Sequence, residues 1–479
     1  MAYPLNLSLQ FHGAIQETTG SRHILQIDDK QILLDCGFYQ GHRKDTNERN
    51  LNFTFAPRAI HSVLLSHAHI DHSGDLPNLV KQGFSGTIYC TPATLDLCQI
   101  MLRDSAYIQM KDAEWLNRRK AKRNIHGNGN GAIAPLYTIE DVEKTMPHFQ
   151  GVPYHHGVHV LRDLEAVFYD AGHILGSSSV IMNIQRRDRL YRLAFSGDIG
   201  RAELPILRDP EIPHDVDWLI MESTYGARTH DPIGEAKEEL RATIERVARR
   251  GGKIIIPSFS VERTQEVVYY LHELTNEGRL PPVPVFVDSP LAIDATEVYR
   301  LHPDCFDQAT QELMLKDQDP FGFSRLTYVR DVEESKRLND LRTPCIIISA
   351  SGMCEAGRIR HHLVNTIEDS KNAILFVGYQ AEGTLGRAIV ERKPEVNIFG
   401  EPHRLRAEVV TLNAFSGHAD KNDLFAYAKT VKEASKNLKQ VFLVHGEKDG
   451  QAELGGRLKN ELGLNVIIPE LGERHFLEA

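Results

Sequence analysis

The sequence predicts an α/β protein in which one domain is interrupted by another. Three observations carry this. Residues 5–35 and 166–220 hold short apolar, strand-like runs, several of which end in a polar cluster. From about Ile233 to Val377 strand-like and helical stretches alternate, the pattern of a parallel sheet wrapped by helices. From Val409 onwards the strand-then-polar signals return. The simplest division is a first domain over 1–220, an insert over 221–405 and a return of the first domain over 406–479.

Bulk properties agree with this division. A chain of 479 residues exceeds one ordinary core. Its 41% hydrophobic and 25% charged residues are those of a globular protein in water. No apolar run approaches a membrane span, and Met1-Ala2-Tyr3-Pro4-Leu5 lacks a signal-peptide start, so no membrane association is expected. The cysteines at 36, 90, 98, 305, 345 and 354 form no CxxC pair, and most lie in apolar runs, which fits a reducing cytoplasm. A net charge of −10 argues against nonspecific coating of nucleic acid.

Along the chain, Ile32-Leu33-Leu34 runs into Asp35, a carboxylate at a strand end before Gly37. Thr91-Pro92 opens a helix with an N-cap and a first-turn proline. That helical stretch ends in the basic cluster Arg118-Arg119-Lys120-Ala121-Lys122-Arg123, before a Gly/Asn loop at 127–131. Thr138-Ile139-Glu140-Asp141 resembles a capping box. Arg186-Arg187-Asp188-Arg189, between two strand-like runs, reads as a hairpin tip. In the insert, helices are expected at 233–250 and 263–276, with strands at 253–256, 285–287, 346–348 and 373–377.

The densest chemical signal follows the apolar run Ser62-Val63-Leu64-Leu65. His67, His69, Asp71 and His72 crowd one tight loop, where they repel one another or waste hydrogen-bonding capacity unless cations hold them. Nitrogen and oxygen donors without thiolate are the set of catalytic zinc. Three further polar sites follow strands: His173 after Val167-Phe168-Tyr169, Asp198 after Leu193-Ala194-Phe195, and His445 after Phe442-Leu443-Val444. Two dications about 3.5–4 Å apart need roughly three protein ligands each and a shared carboxylate. His67, His69 and His173 serve one ion, Asp71, His72 and His445 the other, and Asp198 bridges them. The expected cofactor is therefore two Zn2+ per chain.

These motifs resemble the metallo-β-lactamase fold, an αββα sandwich, with Asp35 matching its first motif. The insert resembles the parallel-sheet β-CASP domain of nucleic-acid-processing nucleases. Glu222 in Met221-Glu222-Ser223-Thr224, His418 in Ser416-Gly417-His418-Ala419-Asp420 and His445 in Val444-His445-Gly446-Glu447 match motifs A, B and C of that branch. Segments 260–265, 288–292 and 382–386 agree as well. In this family a histidine at motif C goes with RNA-processing members, relatives of the pre-mRNA 3′-end cleavage endonuclease and RNase J.

The resemblance implies a zinc-dependent ribonuclease. A metal-bridging hydroxide attacks the phosphorus, and His418 acts as general acid, leaving a 5′-phosphate and a 3′-hydroxyl. Asp71 and Glu222 complete the catalytic set; Glu222 orients His418 and favours its protonated form, while Asp35 supports the ligand loop from behind. Gly-rich turns opening helices suit phosphate, so Ser351, Arg358 and Thr384 are the expected RNA contacts. Arg263 is a weaker one that could equally brace the insert.

The expected partner is single-stranded RNA, with a homodimer left open. The first strand-like run stands near the start, and about 34 residues follow His445. On the resemblance that leaves out KH modules and the RNase J C-terminal domain, and favours an endonuclease. A DNA nuclease, a small-molecule hydrolase of the same fold and a catalytically silent RNA-binding scaffold remain as alternatives.

Overall fold

The protein is described by a computed structural model covering residues 7–41, 43–123, 132–186, 189–316 and 318–477. Contacts divide it into two compact units. The first comprises residues 1–200, 210–229 and 418–479; the second comprises 201–209 and 230–417.

The first unit contains two seven-stranded sheets. One includes the strands Leu7–Phe11, His23–Ile27, Lys30–Leu34, Ile60–Leu64 and Thr87–Cys90; the other includes Leu164–Asp170, Ser178–Arg186, Arg189–Phe195, Trp218–Glu222 and Gln440–Val444. Strand alternation sets the layering. Trp218, Ile220, Phe442 and Val444 point into one core with Leu9, Phe11, Leu25 and Leu34 of the opposite sheet. Leu219, Met221, Val441 and Leu443 point the other way, onto the helices Lys421–Ala434 and Lys448–Leu462. Sheet packs on sheet and helices cover the outer face, as expected for this fold class.

Local signals behave as their chemistry requires. Thr91 accepts from the Thr94 amide at 3.2 Å, capping the helix Pro92–Arg123. Thr138 and Asp141 form a reciprocal capping box. Arg186 pairs with Arg189 across a hairpin whose tip, 187–188, lies outside the described residues. The Gly/Asn loop at 127–131 does too. All six cysteines are buried and lie outside any disulfide. Among the described residues no helix is long and apolar enough to cross a membrane.

The second unit carries a six-stranded sheet whose neighbouring strands all pair in parallel. Helices Ile233–Arg249 and Arg263–Asn276 stand where periodicity put them. Two features differ from expectation. The strand Glu408–Thr411, read as opening the return of the first domain, pairs with Ala373–Phe376 at the edge of the insert's sheet. The return therefore starts at His418 and not at 406. Residues 201–209 also belong to the insert, because Leu207 bridges to Phe306 and the Asp307 amide donates to the Ile206 carbonyl at 2.8 Å.

A buried carboxylate organises this unit. Asp288 accepts from Arg358 at 2.6 Å and from Ser335 at 2.5 Å, and lies 2.6 Å from His362 Nε2. Burial opposes its charge, but hydrogen bonds from His362, Ser335 and Arg358 outweigh this and hold its carboxyl below the usual range. Asp288→Ala strands the buried His362 and the Arg358 guanidinium. We expect it to lower the stability of this unit by about 3–5 kcal/mol, read from the unit's own transition in urea.

Candidate metal centre

Strand register brings the polar clusters to one edge of the first unit. Arg189–Phe195, Trp218–Glu222 and Gln440–Val444 run parallel, with Phe195 beside Ile220 and Glu222 beside Val444. Their ends therefore deliver Asp198, Glu222 and His445 side by side. Leu164–Asp170 is two antiparallel steps away and points the same way, delivering His173. In the facing sheet Lys30–Leu34 and Ile60–Leu64 are parallel, and they deliver Asp35 and the loop of His67, His69, Asp71 and His72. Ser178, through amide and hydroxyl, donates to the Ser66 carbonyl at 2.9 Å and so ties the two edges together.

The loops touch backbone to backbone. A Cβ on Gly37 would lie 1.5 Å from the Asp71 carbonyl oxygen, and one on Gly200 would lie 1.8 Å from that of Gly172. Only glycine permits either approach.

Two groups of side chains converge. His69 Nδ1 lies 3.2 Å from His67 Nε2 and 3.1 Å from His173 Nε2, and Asp198 Oδ2 stands 3.6 Å from each of the latter two nitrogens. A tetrahedron of ligands about 2.0–2.1 Å from zinc has edges of about 3.3 Å, so the four atoms have the right spacing. One proton satisfies at most two of three converging ring nitrogens, whereas a cation satisfies all three. In the second group His72 Nε2 is 3.1 Å from His445 Nε2, which is 3.6 Å from Asp71 Oδ2. The other Asp198 oxygen, Oδ1, lies 3.3 Å from His72 Nε2. It is buried and forms no aligned hydrogen bond among the described residues, so it too is a donor left for a cation. Donor chemistry and spacing fit zinc.

Electrostatics favour the ligating forms of three of these groups. Burial lowers His69 to about 4 and His67 well below its ordinary value, keeping both imidazoles neutral. Burial works against the Asp71 charge, yet the hydrogen bond from His445 and the neighbouring imidazoles bring it to about 2. His72 differs: burial disfavours its charge, but Asp198 and Asp35 on either side raise it well above the ordinary value. A cation held at Nε2 would replace the proton that Asp198 favours there and leave Nδ1–H to Asp35.

Partners behind the ligands fix their orientation. Asp35 Oδ2 sits 2.7 Å from His72 Nδ1, and Asp35 also accepts from the Ser66 amide and hydroxyl at 2.8 and 2.9 Å. Ser66 Oγ faces His67 Nδ1 and Thr224 Oγ1 faces His445 Nδ1, both at 3.0 Å. The supporting hydroxyls of Ser66 and Thr224 were not singled out in the sequence. Both neighbour motif residues, and that adjacency was the available signal.

His418 lies beside the first group. Its Nδ1 is 3.4 Å from Glu222 Oε1 and 3.9 Å from Asp198 Oδ2, and its ring is 4.4 Å from that of His173. Glu222 is buried and held by the amides of Ile199 at 2.6 Å and Thr224 at 3.2 Å. Asp420 caps the following helix through the amides of Asn422 and Asp423, and the Ala419 amide donates to the Ile199 carbonyl at 2.8 Å, so the His418 turn is pinned on both sides. Asp198, Glu222 and His418 also lie within ligand reach of one another.

The expected RNA contacts fare unevenly. Arg263 is buried against Glu262, at 2.8 Å, and Glu266, and the two carboxylates hold its charge despite burial. It braces the insert and is not a phosphate contact. Arg358 is likewise committed, to Asp288 and to the carbonyls of Val329 at 3.1 Å and Arg330 at 2.7 Å. Spacing could not reveal these partners, because Asp288 and Arg358 are 70 residues apart. Ser351 exchanges hydrogen bonds with the Ala356 backbone, and Thr384 caps the helix Leu385–Val390.

Residues 24–196 match the metallo-beta-lactamase superfamily domain, 264–389 the Beta-Casp domain, and 402–469 the Zn-dependent metallo-hydrolase RNA specificity domain. Fold and site together define a metallo-hydrolase. The chain belongs to the β-CASP family of the metallo-β-lactamase fold, as its motifs implied. It is similar to Ribonuclease TTHA0252 of Thermus thermophilus, 36% identical over 461 residues that span 96% of this chain and 98% of the relative. An RNase J-like protein of Methanocaldococcus jannaschii is 31% identical, with 97% and 98% covered. The transcription termination factor FttA of Methanosarcina mazei is 30% identical over 95% of this chain and 69% of its own length. A solved structure described as a protein of unknown function from Enterococcus faecalis V583 superposes with a TM-score of 0.53 at 14% identity, covering 98% of this chain and 100% of that one, a likeness of fold.

Removing the carboxylate behind His72 is expected to loosen metal without removing a ligand. Asp35→Asn should weaken zinc affinity by roughly 10–100-fold, measured by competition with a chelator.

Proposed function

We propose that this chain is a zinc-dependent ribonuclease that cuts single-stranded RNA endonucleolytically and leaves 5′-phosphate and 3′-hydroxyl ends. The observation that carries the reading is the pairing of His418 with buried Glu222 at the rim of a nitrogen-and-oxygen ligand cluster. Similarity to a relative named a ribonuclease and another named RNase J-like supports RNA as the substrate. The motif C histidine, His445, supports it too.

His67, His69 and His173 would hold one Zn2+, Asp71, His72 and His445 the other, with Asp198 shared. When bound, the ions supply a nucleophile from water near neutral pH and offset phosphoryl charge. The remaining chemistry belongs to side chains. Water oxygen adds to phosphorus as the bond from phosphorus to the 3′ oxygen breaks. That departing oxygen needs a proton. His418, with Nδ1 turned towards Glu222, is placed to donate it. Glu222 acts as a positioning residue, its oxygens anchored by the Ile199 and Thr224 amides. Asp71 is the more open carboxylate of the cluster and is suited to orient the attacking water. Within the insert, Ser351 and Thr384 remain the proposed contacts for the RNA backbone.

His418→Ala should lower turnover on labelled RNA by about 10²–10⁴-fold while zinc content holds. A fall in zinc content would make His418 a ligand instead, and equal turnover would remove it from the mechanism. A circular RNA tests the mode of attack. Linearisation is expected; resistance of the circle alongside degradation of its linear form would make the enzyme an exonuclease.

A further inference from the structure

The helix Pro92–Arg123 serves the metal centre with its first turns only. Thr91 and Thr94 both donate to the Gly176 carbonyl, at 2.6 and 2.8 Å, and so hold the loop that carries His173. Its second half has a different character. Tyr107, Lys111, Trp115 and Arg119 recur every fourth residue, which keeps them along one face.

Tyr107 is 52% exposed and Trp115 54%, whereas the chain's other tryptophan, Trp218, lies in the core. Each exposed ring has a cation beside it. Lys111 Nζ is 5.6 Å from the Tyr107 centroid, and the Arg119 guanidinium is 5.2 Å from that of Trp115. Residues 111–120 carry four cations and two acids on a chain of net charge −10. The helix is braced behind this face: Tyr137 donates to Ser105 at 3.0 Å, and Asn117 exchanges hydrogen bonds with the Ile133 backbone at 2.8 and 2.9 Å.

Open aromatic faces interleaved with cations suit stacked bases and their phosphates. A protein partner seated by burial of apolar surface would call for fewer charges at the centre of the patch. We propose that this face is a stacking platform for single-stranded RNA. Bases stack on Tyr107 and Trp115, and Arg119 neutralises the backbone, joined by Lys111 and Arg118 as they exchange Glu114, 3.2 and 3.7 Å away, for phosphate. The platform rests on the RNA reading above and adds to it a length requirement. At 1.5 Å per residue, Tyr107 lies about 20 Å along the helix from Thr94 and Trp115 about 30 Å. A short oligonucleotide reaches the metal centre alone, and a long one engages both.

The test compares a labelled 20-nucleotide oligouridylate with a 4-nucleotide one, by fluorescence anisotropy and by turnover on the full chain. Tyr107→Ala and Trp115→Ala should each weaken 20-mer binding about tenfold and raise its KM. The kcat and the cleavage of the 4-mer should stay unchanged. Tryptophan emission should be quenched by the 20-mer in the wild type and not in Trp115→Phe. Both positions are exposed, so thermal unfolding should not move. Unchanged 20-mer affinity in both variants overturns the platform and leaves the ribonuclease reading standing if the wild type still cuts RNA. A wild type that neither binds nor cuts RNA overturns both. A concentration-dependent dimer lost in Trp115→Ala, with RNA affinity unchanged, makes the face a contact between copies and overturns the platform.

Discussion

Asp198 sits between two sets of imidazoles, and the rest of the first unit is arranged around keeping it there. Four carboxylates, Asp35, Asp71, Asp198 and Glu222, lie close together, and burial drives His67 and His69 beside them towards neutrality, while His72 is pushed the other way by Asp198 and Asp35. Excess negative charge of that kind, removed from water, costs several kcal/mol per ion unless it is compensated. Backbone amides at Ser66, Ile199 and Thr224 compensate part of it. Two dications would neutralise the remainder, beside Asp198, whose buried Oδ1 has no aligned hydrogen bond among the described residues.

The sheets matter to this chemistry because they set direction. Parallel strands in each layer end on the same edge, so turns of a few residues suffice to bring donors hundreds of residues apart within hydrogen-bond distance. His72 and His445, 373 positions apart, illustrate this. The cores beneath hold the strand ends in register: Phe11, Phe195, Trp218 and Phe442 fill the space between the sheets. His418 follows the same logic from a different element, its turn clamped between the Ile199 backbone and the capped helix that follows.

Much of the centre was legible in the sequence because its signals are local. A strand run followed at once by His67, His69, Asp71 and His72 is a short-range pattern, and so are the helix caps at Thr91 and Thr138. Composition alone could not choose His173, Asp198 and His445 from the other polar residues; their places directly behind strand-like runs did, and the family motifs agreed. What stayed hidden was pairing at a distance. Arg358 looked like a phosphate contact because nothing local revealed Asp288, 70 residues away, as its buried partner; Arg263, read from the start as an alternative brace, pairs with Glu262 and Glu266 beside it. Glu408–Thr411 looked like a return to the first domain because an edge strand reads the same in either sheet. Residues 201–209 gave no sign that Leu207 would bridge to Phe306.

The most direct measurement is anomalous scattering at the zinc absorption edge from crystals of the zinc-loaded protein. The account predicts two peaks about 3.5–4 Å apart, one on each side of the Asp198 carboxylate. A single peak lying between Asp198, Glu222 and His418, with the histidines of the 67–72 loop uncoordinated, would contradict it.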